Sequence, residues 1–481
     1  MLTAAITLLA ALAPKPLTVF CAAGVRSPME EVARAWTAET GQAVHLQYGG
    51  SGTLLNNLRM APKADLYLAA ADAYMRQARA SGLVSERLPL ATQQLVIAVP
   101  DGNPFGIASL EDVLDGKVRL ALPNPDATAA GSTCKRVLQH AGLWEQLQAS
   151  IVVTKPTVSD VAADVRLGAV DAAITWDTTT ALVQGVQAVK DSVFDPSREQ
   201  VGIGVLSSCS QPTAALAFAR FLASRDKGAP RFAAAGFTPV QGDVWVQSPR
   251  LTLFSGGMLR PALEPVITAF CKREGVHIDR SYNGCGILVA QIRNGAAPDA
   301  YAACDQSFLD MVQDQFAAGT LLSRNAMVLL VPKGNPEGLS SAEDLLRPGL
   351  KIGVASPDRS ALGALAVGAL IEAGLWGALK ASGNIKVESA TGDFLVNQVR
   401  GGGLNAAIVY HSNARASEPV RSTTDVVHLG IEAPFAQQPW AVRRDSRHAQ
   451  TLGRLLEAIE QARADGAFTE LGFLPPSSGP S

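Results

Sequence analysis

Apolar and polar residues alternate along the first half of the chain in a way that predicts strands separated by helices. Residues 17–20, 44–48 and 65–69 are short apolar or alternating runs, which are typical of strands. Residues 29–40 and 51–60 carry apolar side chains at helical spacing. This order predicts a parallel, doubly wound sheet whose ligands bind at the carboxyl ends of the strands.

A second group of strands and helices follows the first. Strands are predicted at residues 93–99, 118–122, 151–153 and 172–176, after which the chain returns to a strand and a helix. Because the C-terminal part rejoins the first group, we expect two α/β lobes joined by crossing strands. The first of these strands and the segment after the last one are the expected hinges.

The whole pattern occurs twice in the chain. Tyr48 and Gly52 recur as Tyr282 and Gly286, each 234 positions later, and the flanking sequences match over nearly the full length of both halves. A repeat of this length indicates the tandem duplication of a complete domain rather than a solenoid. The sequence therefore divides into a first module, a second module and an N-terminal segment, which we place at residues 15–245, 250–477 and 1–14.

A glycine-rich stretch, residues 47–55, joins a predicted strand to a predicted helix. It places Ser51 among three glycines, Gly49, Gly50 and Gly52. Glycines allow close approach to the backbone, and the first turn of a helix offers unpaired amides and a dipole that favours negative charge. The stretch predicts an anion site, with an N-capping serine in a tight turn as the alternative. Its recurrence in the second half favours the anion site.

Composition and charge exclude several classes of partner. The chain has 481 residues, of which 47% are hydrophobic, and a net charge of −2, so it can bury two cores and has no long-range attraction for nucleic acid. No apolar run is long enough to span a membrane. The apolar residues 1–14 contain a small-x-small pattern, which predicts a signal segment and an exported protein. A cytoplasmic protein with an N-terminal stub is the alternative.

The six cysteines divide equally between the two halves and include no CxxC pair. Neither a zinc ribbon nor a thioredoxin-type motif is therefore expected. No cysteine occupies matching positions in both halves, which excludes a disulfide framework shared by the two. We expect no bound metal and no cofactor.

Five segments of the first half, with counterparts in the second, carry a family resemblance. They are residues 20–24 (FCAAG), 48–54 (YGGSGTL), 65–72, 125–131 and 174–176 (ITW). They resemble the substrate-binding proteins of ABC importers, and among these the molybdate/tungstate-binding subfamily. The resemblance implies an α/β fold of two tandem type II periplasmic-binding-protein modules, each made of two doubly wound lobes with a hinge. In that family serine hydroxyls, backbone amides and a tyrosine hold a dianion between the lobes.

The candidate ligand contacts of the first module are Ala23, Gly24, Arg26, Ser51, Gly52, Ala130, Val158 and Trp176. Ser51 matches one family serine, whereas the other family serine falls on Gly24. Ala130 and Val158 match positions that donate backbone amides, and Trp176 takes the tyrosine position. Two of the side-chain donors therefore differ from the family pattern.

Arg26 departs from the family pattern and recurs in the second half as Arg260. An arginine at this position suits an anion or a carboxylate bound in bidentate fashion. A solvated arginine or an ion pair with Glu30 is the alternative. Trp176 likewise has two interpretations, since it either packs between the lobes or donates its indole N–H to the anion.

The candidate contacts of the second module are Gly257, Met258, Arg260, Cys285, Gly286 and Tyr410. Tyr410 restores the family tyrosine, whereas Cys285 replaces Ser51. A thiol at a helix N-terminus tends to a lowered pKa and, as a thiolate, ligates soft metals. Three interpretations stay open: an altered choice of ligand, a disulfide between Cys285 and Cys304, or a degenerate copy that serves as a scaffold.

The function predicted from these features is that of an exported, monomeric, non-enzymatic solute-binding protein. Its lobes close on a small oxyanion such as molybdate or tungstate and deliver it to an ABC permease in the membrane. Alternatives are another small solute or a metal ion as ligand, or a sensory or scaffold module. A further alternative is a cysteine-dependent enzyme in the second module, with Cys285 as nucleophile and His411 as base.

Overall fold

The computed structural model describes residues 14–476 and separates into two compact units, with the boundary between Gln247 and Ser248. Each unit contains two β-sheets with helices packed against them. This is the layered arrangement that alternating strands and helices form when they bury their apolar faces. The predicted mixed α/β fold and its tandem repetition are confirmed.

The first lobe of the first unit contains a six-stranded sheet. From edge to edge its strands are Thr238–Pro239, Val84–Gln93, Glu199–Leu206, Leu66–Ala69, Leu17–Ala22 and Val44–Gly49. The last three are parallel, and Glu199–Leu206 runs antiparallel to both of its neighbours. The chain adds this antiparallel strand after it has built the second lobe.

The second lobe contains a five-stranded sheet. Its strands, in order, are Ile151–Lys155, Leu120–Pro123, Ala172–Trp176, Leu95–Pro100 and Val186–Val189. The chain passes between the two sheets at Gln94 and returns at Arg198. The backbone N–H of Leu95 donates to the hydroxyl of Ser197 at 2.9 Å, so the two crossing segments are tied together where the lobes join.

Ten α-helices and two 3₁₀ turns are described in the first unit. They are Arg26–Thr40, Ser51–Met60, Asp72–Ala80, Leu110–Leu114, Ala129–His140, Trp144–Ser150, Val158–Arg166, Asp177–Leu182, Pro212–Ala223 and Gly228–Ala234, with turns at Ala23–Val25 and Ser192–Ser197. The helix Arg26–Thr40 shows how sequence sets the limits. It buries Val32 and Trp36 and ends at Gly41, whose φ of 73° is a left-handed conformation that glycine adopts without strain. Trp36 packs edge-on against Phe218 at 5.5 Å.

The second unit repeats both sheets in the same strand order, except that its first sheet has five strands and no counterpart of the edge strand Thr238–Pro239. The first sheet contains Thr320–Asn325, Ala436–Val442, Ala300–Ala302, Arg250–Gly256 and His277–Asn283, and the second contains Ile385–Ser389, Ile352–Ala355, Ala406–Tyr410, Met327–Pro332 and Thr424–Val427. The α-helices are Arg260–Glu274, Cys285–Arg293, Gln306–Asp310, Ala361–Glu372, Trp376–Ala381, Gly392–Arg400, His411–Arg415, Glu418–Thr423, Ala449–Ala464 and Ala467–Glu470, with 3₁₀ turns at Gly257–Leu259 and Glu343–Leu346.

Some sequence predictions differ from the structure or lie outside its described part. The strand predicted at residues 93–99 begins instead at Leu95, and a strand that the sequence did not predict, Val84–Gln93, precedes it. The predicted signal segment, residues 1–14, lies almost entirely outside the described residues. No helix within residues 14–476 is both long and apolar enough to cross a bilayer.

Candidate ligand-binding clefts

A small cavity lies between the two lobes of the first unit, where strand ends from one lobe face helix starts from the other. Its volume is about 20 Å³, slightly more than the roughly 10–15 Å³ that one water molecule needs. The residues that line it carry no charge, and they are Ala22, Ala23, Gly24, Gly49, Gly50, Ser51, Ala70, Thr128, Ala129, Ala130, Thr157, Val158 and Trp176. The cavity lining therefore includes six of the eight candidate contacts of the first module, all except Arg26 and Gly52.

Ser51 presents a hydroxyl hydrogen to this cavity. Its side chain is buried, and its Oγ accepts a hydrogen bond from the backbone N–H of Ala70 at 3.1 Å. The hydroxyl hydrogen is then available to donate to a ligand. The N-cap of the helix Ser51–Met60 is Gly50, and no side chain caps it. The alternative that Ser51 acts as an N-cap is therefore wrong.

Two helices of the second lobe begin at the cavity. Thr128 and Thr157 are their N-caps, and the threonine hydroxyls accept hydrogen bonds from Gly131 N–H at 3.0 Å and Asp160 N–H at 3.2 Å. The amides of the residues between each cap and these positions have no acceptor within an α-helix. Because Ala130 is one of these residues and lines the cavity, the site combines amide donors with the positive ends of helix dipoles.

Glycines allow the lobes to approach closely around the cavity. A Cβ atom on Gly50 would lie 2.5 Å from the carbonyl oxygen of Ala127, and one on Gly24 would lie 2.9 Å from Val158 Cγ2. The N–H of Gly52 donates to the carbonyl of Ala127 at 3.1 Å. Strand-end glycines of the first lobe are thus in direct contact with the second lobe, and the module is closed.

The structure does not place Arg26 and Gly52 in the cavity wall, although both were predicted contacts. The guanidinium of Arg26 is exposed and lies 4.1 Å from the centre of the Tyr48 ring, which is a cation–π geometry. The predicted alternative partner, Glu30, instead accepts a hydrogen bond from the Tyr48 hydroxyl at 3.2 Å. Gly52 instead contributes its backbone amide to the contact between the two lobes. Trp176 is 1% exposed and lines the cavity, so it both packs between the lobes and lies at the candidate ligand site.

The equivalent wall of the second unit has different chemistry. Four wall residues of the first unit, Gly24, Ser51, Ala70 and Trp176, correspond to Met258, Cys285, Cys304 and Tyr410. The backbone contacts are kept, since the N–H of Cys304 donates to Cys285 Sγ at 3.1 Å and the N–H of Gly286 donates to the carbonyl of Arg359 at 3.1 Å. The second module is therefore closed in the same way around another set of side chains.

A carboxylate lies at the same cleft. Asn413 Nδ2 donates to Asp393 Oδ1 at 2.8 Å, and a Cβ atom on Gly257 would lie 3.6 Å from Asp393 Oδ2. Burial raises the pKa of Asp393, whereas the Asn413 hydrogen bond and the charge of Arg260 lower it. Arg260 itself lies over the Tyr282 ring at 5.6 Å. A carboxylate here opposes the binding of an anion.

Two interpretations of Cys285, the disulfide with Cys304 and the catalytic nucleophile, find no support in the contacts. All six cysteines are free thiols in this structure, so the bridge from Cys285 to Cys304 is not formed. His411 Nδ1 lies 3.2 Å from the carbonyl oxygen of Gly472, and no hydrogen bond joins His411 to Cys285 among the described residues. Burial lowers the pKa of His411. The geometry gives no nucleophile–base pair.

Comparison with known families assigns the chain to a class. A family model described as bacterial extracellular solute-binding protein matches residues 17–238 and 251–474, once in each unit and over most of the chain. The chain belongs to this family. The predicted resemblance is confirmed, and each unit is a solute-binding module.

Individual relatives match over the length of one module. A protein of Haemophilus influenzae described as a binding protein is 27% identical over 225 residues, which are 47% of this chain and 91% of the relative. The molybdate-binding protein ModA of Escherichia coli is 27% identical over 210 residues, 41% of this chain and 80% of the relative. Among solved structures, the periplasmic molybdate-binding protein of Azotobacter vinelandii aligns with a TM-score of 0.41 and 19% identity, over 47% of this chain and 100% of its own.

Sequence reasoning missed several wall residues of the solute-binding modules. Thr157 is followed three positions later by Asp160, and this spacing is a capping signal that marks the helix start. Thr128 lacks an acidic partner at that spacing and has a weaker signal. Ala70 and Cys304 follow short strands, and their positions in the wall depend on the sheet register rather than on any local pattern.

Proposed function

We propose that this protein is the solute-binding subunit of an ABC-type importer and that its first module binds a small oxyanion, molybdate or tungstate. The lobes close over the anion in an exported compartment, and the monomeric protein then presents it to a membrane permease. The observation that carries this proposal is the uncharged cavity between the lobes, lined by the Ser51 hydroxyl and by helix starts at Ala129 and Val158.

The size of the cavity favours a compact ligand. A sphere with the same volume has a radius of about 1.7 Å, which is close to the distance from the central atom to each oxygen in a tetrahedral oxyanion. Sites for drug-sized molecules occupy roughly 300–1,000 Å³. A compact inorganic ion is therefore the class of ligand that the closed module can enclose.

The chemistry of the wall favours an anion. The lining residues carry no side-chain charge, and the donors are amides at helix N-termini and the Ser51 hydroxyl. The hydroxyls of Thr128 and Thr157 already donate to Asn124 O and Asp160 Oδ2. Helix N-termini bind anions without a formal positive charge, because their amides and dipoles point at the ligand. The likeness to ModA of Escherichia coli, a molybdate-binding protein, supports molybdate within this class.

Isothermal titration of the full chain with molybdate, tungstate, sulfate and phosphate tests the proposal. We expect one molybdate or tungstate ion per chain and stabilisation of the first module by about 2.7 kcal/mol at a hundredfold excess over Kd. The Ser51→Ala variant loses a hydrogen bond to a charged ligand, worth roughly 1.5–3 kcal/mol, so molybdate binding weakens by about 10- to 150-fold.

Ser207→Ala is the matched control, because Ser207 is an exposed serine of the same lobe whose hydroxyl pairs with Ser85 at 3.0 Å. This variant should bind molybdate as the wild type does. Absence of binding for all four anions contradicts the oxyanion assignment. Binding that Ser51→Ala leaves unchanged contradicts the location of the site.

A further inference from the structure

Three sulfur-containing residues occupy cleft positions of the second module. Cys285 begins the helix Cys285–Arg293, Cys304 follows the strand Ala300–Ala302, and Met258 lies in the 3₁₀ turn after another strand. Their exposed fractions are 0%, 7% and 5%. All three occupy positions whose counterparts in the first module line the anion cavity.

The two cysteines are in direct contact, because the N–H of Cys304 donates to Cys285 Sγ at 3.1 Å. A Cβ atom on Gly256 would lie 2.0 Å from Cys304 Sγ and 3.3 Å from Cys285 Sγ, so both sulfurs face the same strand end.

A phenol without a hydrogen-bond partner occupies another cleft position of the second module. The hydroxyl of Tyr410 is buried and has no hydrogen-bond partner within residues 14–476. Its counterpart in the first module, Trp176, lines the cavity there. A buried hydroxyl without a partner is costly. This one is therefore a polar group in a position to meet a ligand at the thiol pair.

This donor set does not suit an oxyanion. A thiolate repels an anion, and the carboxylate of Asp393 near Gly257 adds to the repulsion. It also does not suit Zn²⁺, which takes four ligands. In the described part of the chain, no group of three or more His, Cys, Asp or Glu residues could hold a metal ion. Thiolate and thioether ligands select soft metals, among which Cu(I) accepts few ligands.

We propose that the second module binds one Cu(I) ion between Cys285 and Cys304, with Met258 as a third, thioether donor. The ion replaces the thiol protons, so that binding releases up to two protons to solvent. This inference concerns the second cleft alone and does not depend on the oxyanion function of the first module.

Competition titration of the reduced full chain against the Cu(I) chelator bathocuproine disulfonate tests the proposal under anaerobic conditions. The informative variant is Cys285→Ser with Cys304→Ala, because these substitutions introduce into the second cleft the residue types that the first module has at Ser51 and Ala70. We expect the wild type to retain one Cu(I) more than this variant. Loss of the ligands should weaken binding by more than the roughly 10–100-fold that changes around a metal site produce.

Two further variants separate this site from the other thiols and from misfolding. Cys134→Ala removes a single buried thiol of the first module and should retain the wild-type stoichiometry. Met258→Leu keeps an apolar side chain of similar volume and should weaken binding without abolishing it. X-ray absorption of the loaded protein should show only sulfur neighbours around copper.

The proposal is overturned if the wild type yields all its Cu(I) to the chelator, or if the double variant binds Cu(I) as tightly as the wild type. It is also overturned if Cys285 and Cys304 resist reduction and are found joined by mass spectrometry. Molybdate titration of the same variants reports on the first module, so the outcomes for the two modules are distinguishable.

Discussion

Gly50 lies where the two lobes of the first module meet, and its replacement by alanine should prevent full closure. Its φ of −66° and ψ of 144° are ordinary for alanine, so the backbone itself is not strained by the change. The new Cβ would lie 2.5 Å from the carbonyl oxygen of Ala127 and 3.4 Å from that of Pro156, both in the opposite lobe. Because backbone atoms cannot rotate away as a side chain does, the lobes must separate to relieve the contact.

The magnitude follows from the cost of overpacking. An extra methyl group in a packed contact costs roughly 1–3 kcal/mol. Only the closed state bears this cost, since separated lobes do not touch at Gly50. If the closed state is the one that binds, the apparent affinity for the anion falls by about 5- to 150-fold, while the affinity of the fully closed site is unchanged.

Isothermal titration with molybdate measures the loss of affinity, and small-angle scattering at saturating molybdate measures closure. Gly284→Ala is the matched control, because its Cβ would lie 2.4 Å from the carbonyl oxygen of Ala390 in the second module. This control should leave the anion affinity unchanged. If Gly50→Ala binds molybdate as tightly as the wild type, the reasoning that couples lobe contact to anion binding is refuted.

Two further predictions concern stability. The hydrogen bonds and charge of Arg119 hold the pKa of Asp171 below its ordinary value. The pair therefore contributes stability that is present above the unfolded pKa of Asp171 and is lost as the pH falls through its folded pKa. In urea titrations, the difference in unfolding free energy between wild type and Asp171→Asn should shrink from pH 7 toward pH 3. Glu274 and Arg454 form a buried pair at 2.7 Å, and Glu274→Gln should cost roughly 3–5 kcal/mol in the unfolding transition of the second unit, measured by denaturant titration; a cost below 1 kcal/mol contradicts the role of this pair.

The alternation of apolar runs was sufficient to predict most of the fold, and the exceptions have a physical reason. The strand Val84–Gln93 escaped prediction because Glu86 and Arg87 interrupt its apolar pattern, and Pro89 usually argues against a strand interior. The structure accommodates Pro89 beside a register shift in the pairing with Glu199–Leu206. Tertiary pairing thus overrode the local signal.

The candidate site was predictable where it depends on backbone geometry and unpredictable where it depends on side-chain direction. Ser51 and the glycines around it could be placed because a strand-to-helix junction at a parallel sheet lies at the ligand-binding edge. Arg26 is at a similar junction, yet its side chain turns to the Tyr48 ring instead of the cavity. Spacing along the chain locates the Cα atom of such a residue but does not determine where its side chain points.

One pair of positions shows how the duplicated modules diverged. In the first module the missing side chain of Gly24 leaves room for Val158, since a Cβ there would lie 2.9 Å from Val158 Cγ2. The counterparts in the second module are Met258 and Gly392, so the large and the small residue have changed sides. Gly392 is constrained in turn, because a Cβ on it would lie 2.5 Å from Asn413 Oδ1.

The backbone contacts between the lobes are nevertheless kept in both modules. The amides of Gly52 and Gly286 donate to the carbonyls of Ala127 and Arg359, each at 3.1 Å. The side chains that face the enclosed space changed from hydroxyl and methyl to thiol at Cys285 and Cys304, which is the change expected when closure is retained and the ligand is different.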